Sequence, residues 1–402
     1  MKKLRIAVIG AGSGPGARAR GWIETVAKLT DHFDLCAICD INPAVAEEIS
    51  AKHGVKQSFT NVAATLDEAK PDLALILVPT DGQSAVAVEA AKRGINIITE
   101  IPYGITLEVG DAIRDVCQEH GVVWEIAEQV WLWPQEQLKA KIVESGYIGQ
   151  VSMSRLWYAS GSYHGFNAVR MILRDSARRV LAYVTESETD QYLTYGGEQA
   201  TTVVWEAMWI EYMRGTMCLY ERAPRPFSKH SRPNLWEVEG SSGHISGRDV
   251  VLLAGEPDQP QTIREQYLRA GGEQVLDYVH LDGTPDLRWE NPYKAYRVGD
   301  LDDVAKSEIL TSTHRSITEG TPVQYGPEGA RADLELSFVM AESQRLGNTW
   351  VDVPLPGPTE LSKRIERIFV ETYGHDPIAG SRELLDVPIS RLGVWWPAAQ
   401  WL

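Results

Sequence analysis

The chain has 402 residues, of which 44% are hydrophobic and 23% charged, with a net charge of −16. That length gives room for two domains and a sizeable core, and the acidic balance works against nucleic acid or an anionic membrane surface as a partner. No apolar run is long enough to cross a bilayer, Met1-Lys2-Lys3 leads directly into a strand with no signal peptide expected, and the cytoplasm is the expected compartment.

The first element is a strand, Leu4 to Ile9, whose branched apolar residues suit the centre of a parallel sheet covered on both faces. It runs into Gly10-Ala11-Gly12-Ser13-Gly14-Pro15-Gly16 and then a helix from about Ala17. Glycines let the backbone turn tightly and approach a bound group, while the helix start presents unpaired N–H groups and the positive end of its dipole to an anion. A dinucleotide pyrophosphate needs that combination. Gly10 and Gly12 fit G-x-G-x-x-G; Pro15 holds the third place and Gly16 comes one residue late, which reads as a turn lengthened by one. The next strand, Phe33 to Ile38, ends at Cys39-Asp40. A carboxylate there accepts hydrogen bonds from the adenosine ribose and repels a 2′-phosphate, so Asp40 favours NAD over NADP. Cys36 and Cys39 are an odd number of places apart on a strand, on opposite faces, and read as structural.

Strand and helix then alternate: helix Pro43–His53, strand Lys56–Phe59, helix Asn61–Glu68, strand Leu73–Val78, helix Gly82–Arg93, strand Asn96–Thr99, helix Leu107–His120 and strand Val122–Ile126. This order predicts an α/β Rossmann-type doubly wound parallel sheet over residues 1–126. Its ligand edge would carry Val78, Pro79, Thr80 and Gln83 after one strand and Glu100 and Pro102 after another. At Trp131-Leu132-Trp133-Pro134 the pattern changes. A helix, Gln135–Ser145, leads into strand-like runs at Val151–Tyr158, Val180–Thr185, Ala200–Ile210, Thr216–Glu221, Trp236–Val238 and Asp249–Leu253. With helices Leu301–Glu319 and Gly329–Arg345 and a closing strand Trp350–Val353, they predict an α+β domain with a largely antiparallel open sheet over residues 127–355. Residues 356–402, rich in proline and loop signals, read as an extension wrapping the surface or a neighbouring subunit. The nine histidines show no metal-ligand spacing, and no metal is expected; most of the thirteen tryptophans read as core.

The order of these motifs resembles the Gfo/Idh/MocA family of nicotinamide-dependent oxidoreductases, over about residues 4 to 355. The resemblance rests on the glycine turn, Asp40, Val78-Pro79-Thr80 and Thr99-Glu100-Ile101-Pro102, followed by Thr106-Leu107-Glu108 with Val123 and Pro134, Gly146-Tyr147-Ile148-Gly149, and Gly240-Ser241-Ser242-Gly243-His244-Ile245. It implies hydride transfer between a nicotinamide and a carbinol or ketone carbon of a sugar, glycoside or cyclitol, the protein handling the hydroxyl proton. The family commonly uses a lysine in Glu-Lys-Pro, with an aspartate and a histidine from the second domain. Here Ile101 replaces the lysine, Ser160 stands where the aspartate is expected, Asn167 replaces a second acidic residue, and Gln83 takes the place of a frequent histidine. His164 matches the family histidine, and Tyr163 and Tyr103 join it as candidates for proton handling. Arg170 and Asn167 are the candidates for holding substrate, and Glu100 is expected near the nicotinamide ribose.

Two other functions compete with a dehydrogenase. A tyrosine–histidine pair beside a lysine-free Glu-x-Pro also resembles a redox-neutral branch that cleaves glycosides with tightly held NAD through transient oxidation at C3. A nucleotide-sensing regulator of the same fold would need no base at all. The expected partners are a small carbohydrate or polyol and further copies of the chain, as a homodimer or homotetramer through the open sheet.

Overall fold

The computed structural model describes residues 2–12, 18–157, 162–193, 199–222, 235–254 and 259–389. In it Leu4–Ile9 becomes β1, with Leu4, Ile6, Ala7, Val8 and Ile9 all buried. It pairs in parallel with β2 (Phe33–Cys39) and with β4 (Leu73–Ile76), which a central position requires. Adding β3 (Gln57–Phe59), β5 (Asn96–Thr99) and β6 (Trp124–Ile126) completes a six-stranded sheet of order β3-β2-β1-β4-β5-β6. Strand order reverses at the β1/β4 boundary, so a cleft opens outside the carboxyl ends of those two strands.

Helices α1 (Arg18–Lys28), α2 (Pro43–His53), α3 (Val62–Ala64), α4 (Thr80–Ala91) and α5 (Leu107–Glu119) connect these strands. The expected helix Asn61–Glu68 is instead the short α3 followed by a π-helical turn over Thr65–Ala69. Every residue of α4 from Asp81 to Ala91 is buried, so this helix needs cover on more than its sheet side. The C-terminal segment supplies it through α10 (Glu360–Tyr373) and α11 (Ser381–Leu384). Tyr373 donates to Asp81 Oδ2 at 2.7 Å, and Ser381 donates to Glu89 Oε1 at 2.8 Å. From residue 360 to 384 the expected extension therefore contains two helices packed against the chain's own α4 and α9, and its end beyond 389 lies outside the described residues.

The second sheet has eleven strands in the order β16-β15-β14-β13-β12-β11-β7-β10-β9-β8-β17. The central strands are β7 (Val151–Trp157), β8 (Ala177–Leu193), β9 (Gln199–Tyr212), β10 (Met217–Arg222) and β11 (Leu235–Gly240). Then come β12 (Gly243–Ser246), β13 (Asp249–Leu252), β14 (Gln261–Ala270), β15 (Glu273–Leu281) and β16 (Thr284–Glu290), with β17 (Val351–Asp352) closing the other edge. All neighbours are antiparallel except β7 and β10. Strands β14 to β16 have no counterpart in the sequence reading, because their burial alternates weakly and charged side chains interrupt the apolar positions. Helices α6 (Pro134–Glu144), α7 (Ser162–Leu173) and α9 (Pro327–Arg345) cover one face, while α8 (Leu301–Glu319) packs beside α1. On β8 and β9 the opposite face leaves Tyr183 58% and Trp209 39% exposed.

Glu125, within β6, is fully buried between the two halves. Its carboxylate accepts from Thr313 Oγ1 at 2.7 Å and from the Tyr325 backbone N–H at 3.3 Å. Burial pushes this carboxyl up to about 8, against the hydroxyl and backbone donors that pull it down. Between its ordinary value of 4.5 and about 8 the folded chain holds a proton that the unfolded chain has released, so this group lowers stability as pH rises through that window. Glu125→Gln removes the titration. Calorimetric melting should then show a shallower loss of Tm between about pH 5 and 8 than the parent; an unchanged slope would assign the pH dependence elsewhere.

Candidate functional site

The cleft is built from the loops that leave the carboxyl ends of the parallel strands. After β1, Gly10 and Gly12 adopt φ of +92° and +75°, a region that only glycine occupies without strain. A Cβ on Gly10 would lie 2.8 Å from the carbonyl carbon of Leu77, so the close passage of β1 past β4 also requires glycine. Ser13, Gly14, Pro15 and Gly16, the rest of the predicted turn, lie outside the described residues. After β2, Asp40 turns back onto this loop: Oδ2 accepts the backbone N–H of Ala11 at 2.9 Å and of Gly12 at 3.0 Å, and Oδ1 accepts that of Asn42 at 2.9 Å. These residues fit a dinucleotide, with a close-approach backbone for the pyrophosphate and an acidic strand end for a ribose.

After β4, Val78 and Pro79 lead into α4 at Thr80. Gln83, 6% exposed, directs Nε2 toward the carbonyls of Val78 and Ile101, each at 3.4 Å, so it ties the β4 and β5 ends together. After β5, Glu100 does more than the sequence reading assigned to it. Its Oε1 accepts from Arg18 Nε at 2.5 Å and from Trp22 Nε1 at 3.0 Å. Arg18 Nη2 continues to Gln129 Oε1 at 2.8 Å, and Gln129 Nε2 donates to Asp302 Oδ1 at 3.1 Å. A polar chain thus runs from the first turn of α1 across the β5 and β6 ends to α8. Pro102 follows Ile101 through a cis peptide bond.

The sequence-predicted catalytic residues separate. His164, in the first turn of α7, sets Nδ1 2.6 Å from Glu128 Oε2. The Glu128 side chain is wholly buried, and that of His164 is 14% exposed. The other oxygen of Glu128 accepts the Val130 N–H at 2.9 Å. Tyr163 turns the opposite way. It is 3% exposed, with its hydroxyl 2.9 Å from that of Tyr325 and 3.3 Å from the Ala330 carbonyl. Burial and the nearby Asp333 charge raise its pKa well above the usual phenol value, so it holds its proton and is unsuited to accept one. Tyr103 lies in the core, 1% exposed and stacked on Trp124 at 5.3 Å, with its hydroxyl on Asp111 at 2.9 Å. Burial and Asp111 raise its pKa as well, and these contacts commit it to packing.

Arg170 and Asn167, the expected substrate contacts, both reach a buried carboxylate. Arg170 Nε and Nη2 reach Asp333 at 2.7 and 2.9 Å, and Asn167 Nδ2 reaches the same carboxylate at 3.0 Å. The Tyr325 hydroxyl adds a bond at 2.8 Å. Asp333 is 0% exposed, so the group forms an internal brace between α7 and α9. Ser160 lies outside the described residues. Sequence reading missed Glu128, Arg18, Gln129 and Asp333. For Glu128 a signal existed: a lone carboxylate two residues past a buried strand, in Ile126-Ala127-Glu128-Gln129-Val130.

The first sheet, with Gly10, Gly12 and an acidic strand end at Asp40, is a doubly wound sheet of the dinucleotide-binding kind, followed by a second, open sheet. Residues 4–127, the segment that folds into the first sheet, match the model of the oxidoreductase family with NAD-binding Rossmann fold, Gfo/Idh/MocA. It is 27% identical to levoglucosan dehydrogenase of Pseudarthrobacter phenanthrenivorans over 121 residues, 30% of this chain and 31% of that protein. It is 20% identical to scyllo-inositol 2-dehydrogenase (NAD(+)) of Bacillus subtilis over 344 residues, 80% of this chain and 96% of that one. Across several of its curated relatives the match spans 31% to 47% of the relative's length. The structure of a levoglucosan dehydrogenase in complex with NADH and levoglucosan superposes with a TM-score of 0.67 at 18% identity, covering 88% of this chain and 100% of that one, a likeness of fold.

The structural role of the brace can be tested directly. Arg170→Leu leaves the buried Asp333 carboxylate without its cation and should destabilise the protein by about 3–5 kcal/mol in urea unfolding. A variant of full stability that loses only substrate affinity would return Arg170 to a substrate role.

Proposed function

We propose that this chain is an NAD-dependent dehydrogenase of a small sugar, glycoside or cyclitol, with His164 accepting the hydroxyl proton. The observation that carries the reading is the pairing of a dinucleotide cleft, built on Gly10, Gly12 and Asp40, with a histidine–carboxylate pair contributed from the β6 end and α7. The relatives named above, dehydrogenases of an anhydrosugar and an inositol, support the substrate class. When bound, the nicotinamide supplies the hydride chemistry. The protein has to orient a carbinol and take its proton, a task that needs a base within hydrogen-bond reach. Ile101 cannot do this, Tyr163 and Tyr103 hold their protons, and His164 is left as the base among the residues the sequence proposed. Asp40 favours NAD, since a 2′-phosphate would meet its carboxylate.

The test is purified protein, NAD and a panel of sugars, glycosides and inositols, with NADH followed by absorbance and sugar products by chromatography. NADH should form with at least one substrate, and His164→Ala should lower kcat by about 10²-fold or more. Release of an aglycone without NADH would replace this reading with the redox-neutral one, and full activity in His164→Ala would remove the histidine from the chemistry.

The same reading includes self-association in the cytoplasm. Aromatic side chains on the outer face of β8 and β9, Tyr183 and Trp209, leave apolar surface of the kind that subunit contacts cover. The four cysteines are unpaired, in keeping with a reducing compartment. Light scattering should give the mass of a dimer or tetramer, and Trp209→Glu should shift it toward one chain; a monomeric parent protein would overturn the assignment.

A further inference from the structure

We infer that Glu128 is the positioning residue of the base: it fixes the His164 ring and places the accepting lone pair on Nε2. This rests on the reading of His164 as proton acceptor and adds to it a residue that the sequence did not single out. The 2.6 Å contact between Nδ1 and Glu128 Oε2 is short enough to carry a charge-assisted hydrogen bond. With its proton on Nδ1, donated to the carboxylate, a neutral imidazole carries its basic lone pair on Nε2.

Three features make Glu128 suited to hold the ring. Its side chain has no exposure to water, so the contact is not diluted by solvent. Its second oxygen is held by the Val130 N–H at 2.9 Å, which fixes the plane of the carboxylate. The backbone beneath it is fixed too: Ala127 N–H bonds Thr99 O at 2.8 Å and Ile126 N–H bonds Tyr325 O at 3.0 Å. On the other side of the pair, α7 is locked by the Arg170–Asp333 brace. Both partners are therefore mounted on elements that cannot easily turn, which is what a base needs to keep its geometry through turnover.

The proton step balances. The substrate O–H bond breaks and its proton bonds to Nε2, while the carbon–oxygen double bond forms and the hydride leaves with its electron pair to the bound nicotinamide. His164 becomes an imidazolium whose charge sits against the buried Glu128 carboxylate, so the ion pair forms in the transition state and not before it. A contact that strengthens only as the reaction proceeds raises kcat and leaves substrate binding alone.

Glu128→Gln is the decisive variant. The amide has nearly the same shape, yet its NH₂ can donate to Nδ1 and hold the ring with its proton on Nε2, turned the wrong way for a base. Expected results are a fall in kcat of about 10²-fold or more, KM within about threefold of the parent, and an unchanged Kd for NADH by fluorescence titration. The nitrogen-15 spectrum of the imidazoles reads the same point independently of activity: in the parent protein the His164 signal should show the proton on Nδ1, and in Glu128→Gln on Nε2. If Glu128→Gln fails to fold, the parent spectrum alone decides, and a neutral His164 with its proton on Nε2 overturns the proposal. So does a Glu128→Gln enzyme with kcat within about threefold of the parent. Inactivity of His164→Ala together with such an intact Glu128→Gln would sink this inference and spare the dehydrogenase reading; an active His164→Ala would sink both.

Discussion

Three carboxylates with no exposure to water hold the junction on which the site is built: Glu125, Glu128 and Asp333. A buried carboxylate must find donors or take a proton, and each here meets that demand by reaching to a different element. Glu125 takes hydroxyl and backbone donors from α8 and the segment ahead of α9. Glu128 takes the imidazole on α7. Asp333 takes the guanidinium and carboxamide of the same helix from below. Tyr325 belongs to two of these sets at once, its N–H on Glu125 and its hydroxyl on Asp333. The relative placement of β6, α7, α8 and α9 is therefore over-determined, and His164 stands on a helix that has little freedom to rotate.

The division of labour along α7 stems from its period. Tyr163, Asn167 and Arg170 are spaced four and three residues apart and share a face, which they spend on Tyr325 and Asp333. His164 is one residue off that face and meets Glu128 instead. In sequence the four look like one polar cluster, and a single site is the natural reading of them. What separates them is a helical turn and a partner, Asp333, that lies more than 160 residues away along the chain.

The legible parts of the fold were those governed by local rules. Strands of the first sheet declared themselves as apolar runs, and Gly10, Gly12 and Asp40 kept their places because turn geometry and strand ends are short-range facts. Helix α10 was missed although Leu361, Ile365, Phe369 and Tyr373 recur every four residues, since the prolines on both sides outweighed the pattern. The β14–β16 meander was missed for a different reason: its strands carry many charged residues, and only pairing to one another defines them. Glu128 and Asp333 could not be assigned partners from one dimension, because a buried charge announces a need and not who satisfies it.

Ile101, where the family that the sequence resembles commonly has a lysine, has a structural counterpart one strand over. A lysine at the β5 end would supply both a positive charge and a base beside Glu100. Here Glu100 draws its positive charge from Arg18, and Arg18 is held in turn by Gln129. His164 Nδ1 meets Glu128, the very next residue back along the chain. Consecutive Cα atoms are about 3.8 Å apart, so Gln129, which holds the Arg18 guanidinium, and Glu128, which meets His164, stand side by side in a single short segment after β6. Any shift of that segment would therefore move the contact that steadies Arg18 beside Glu100 and the partner of the His164 ring together.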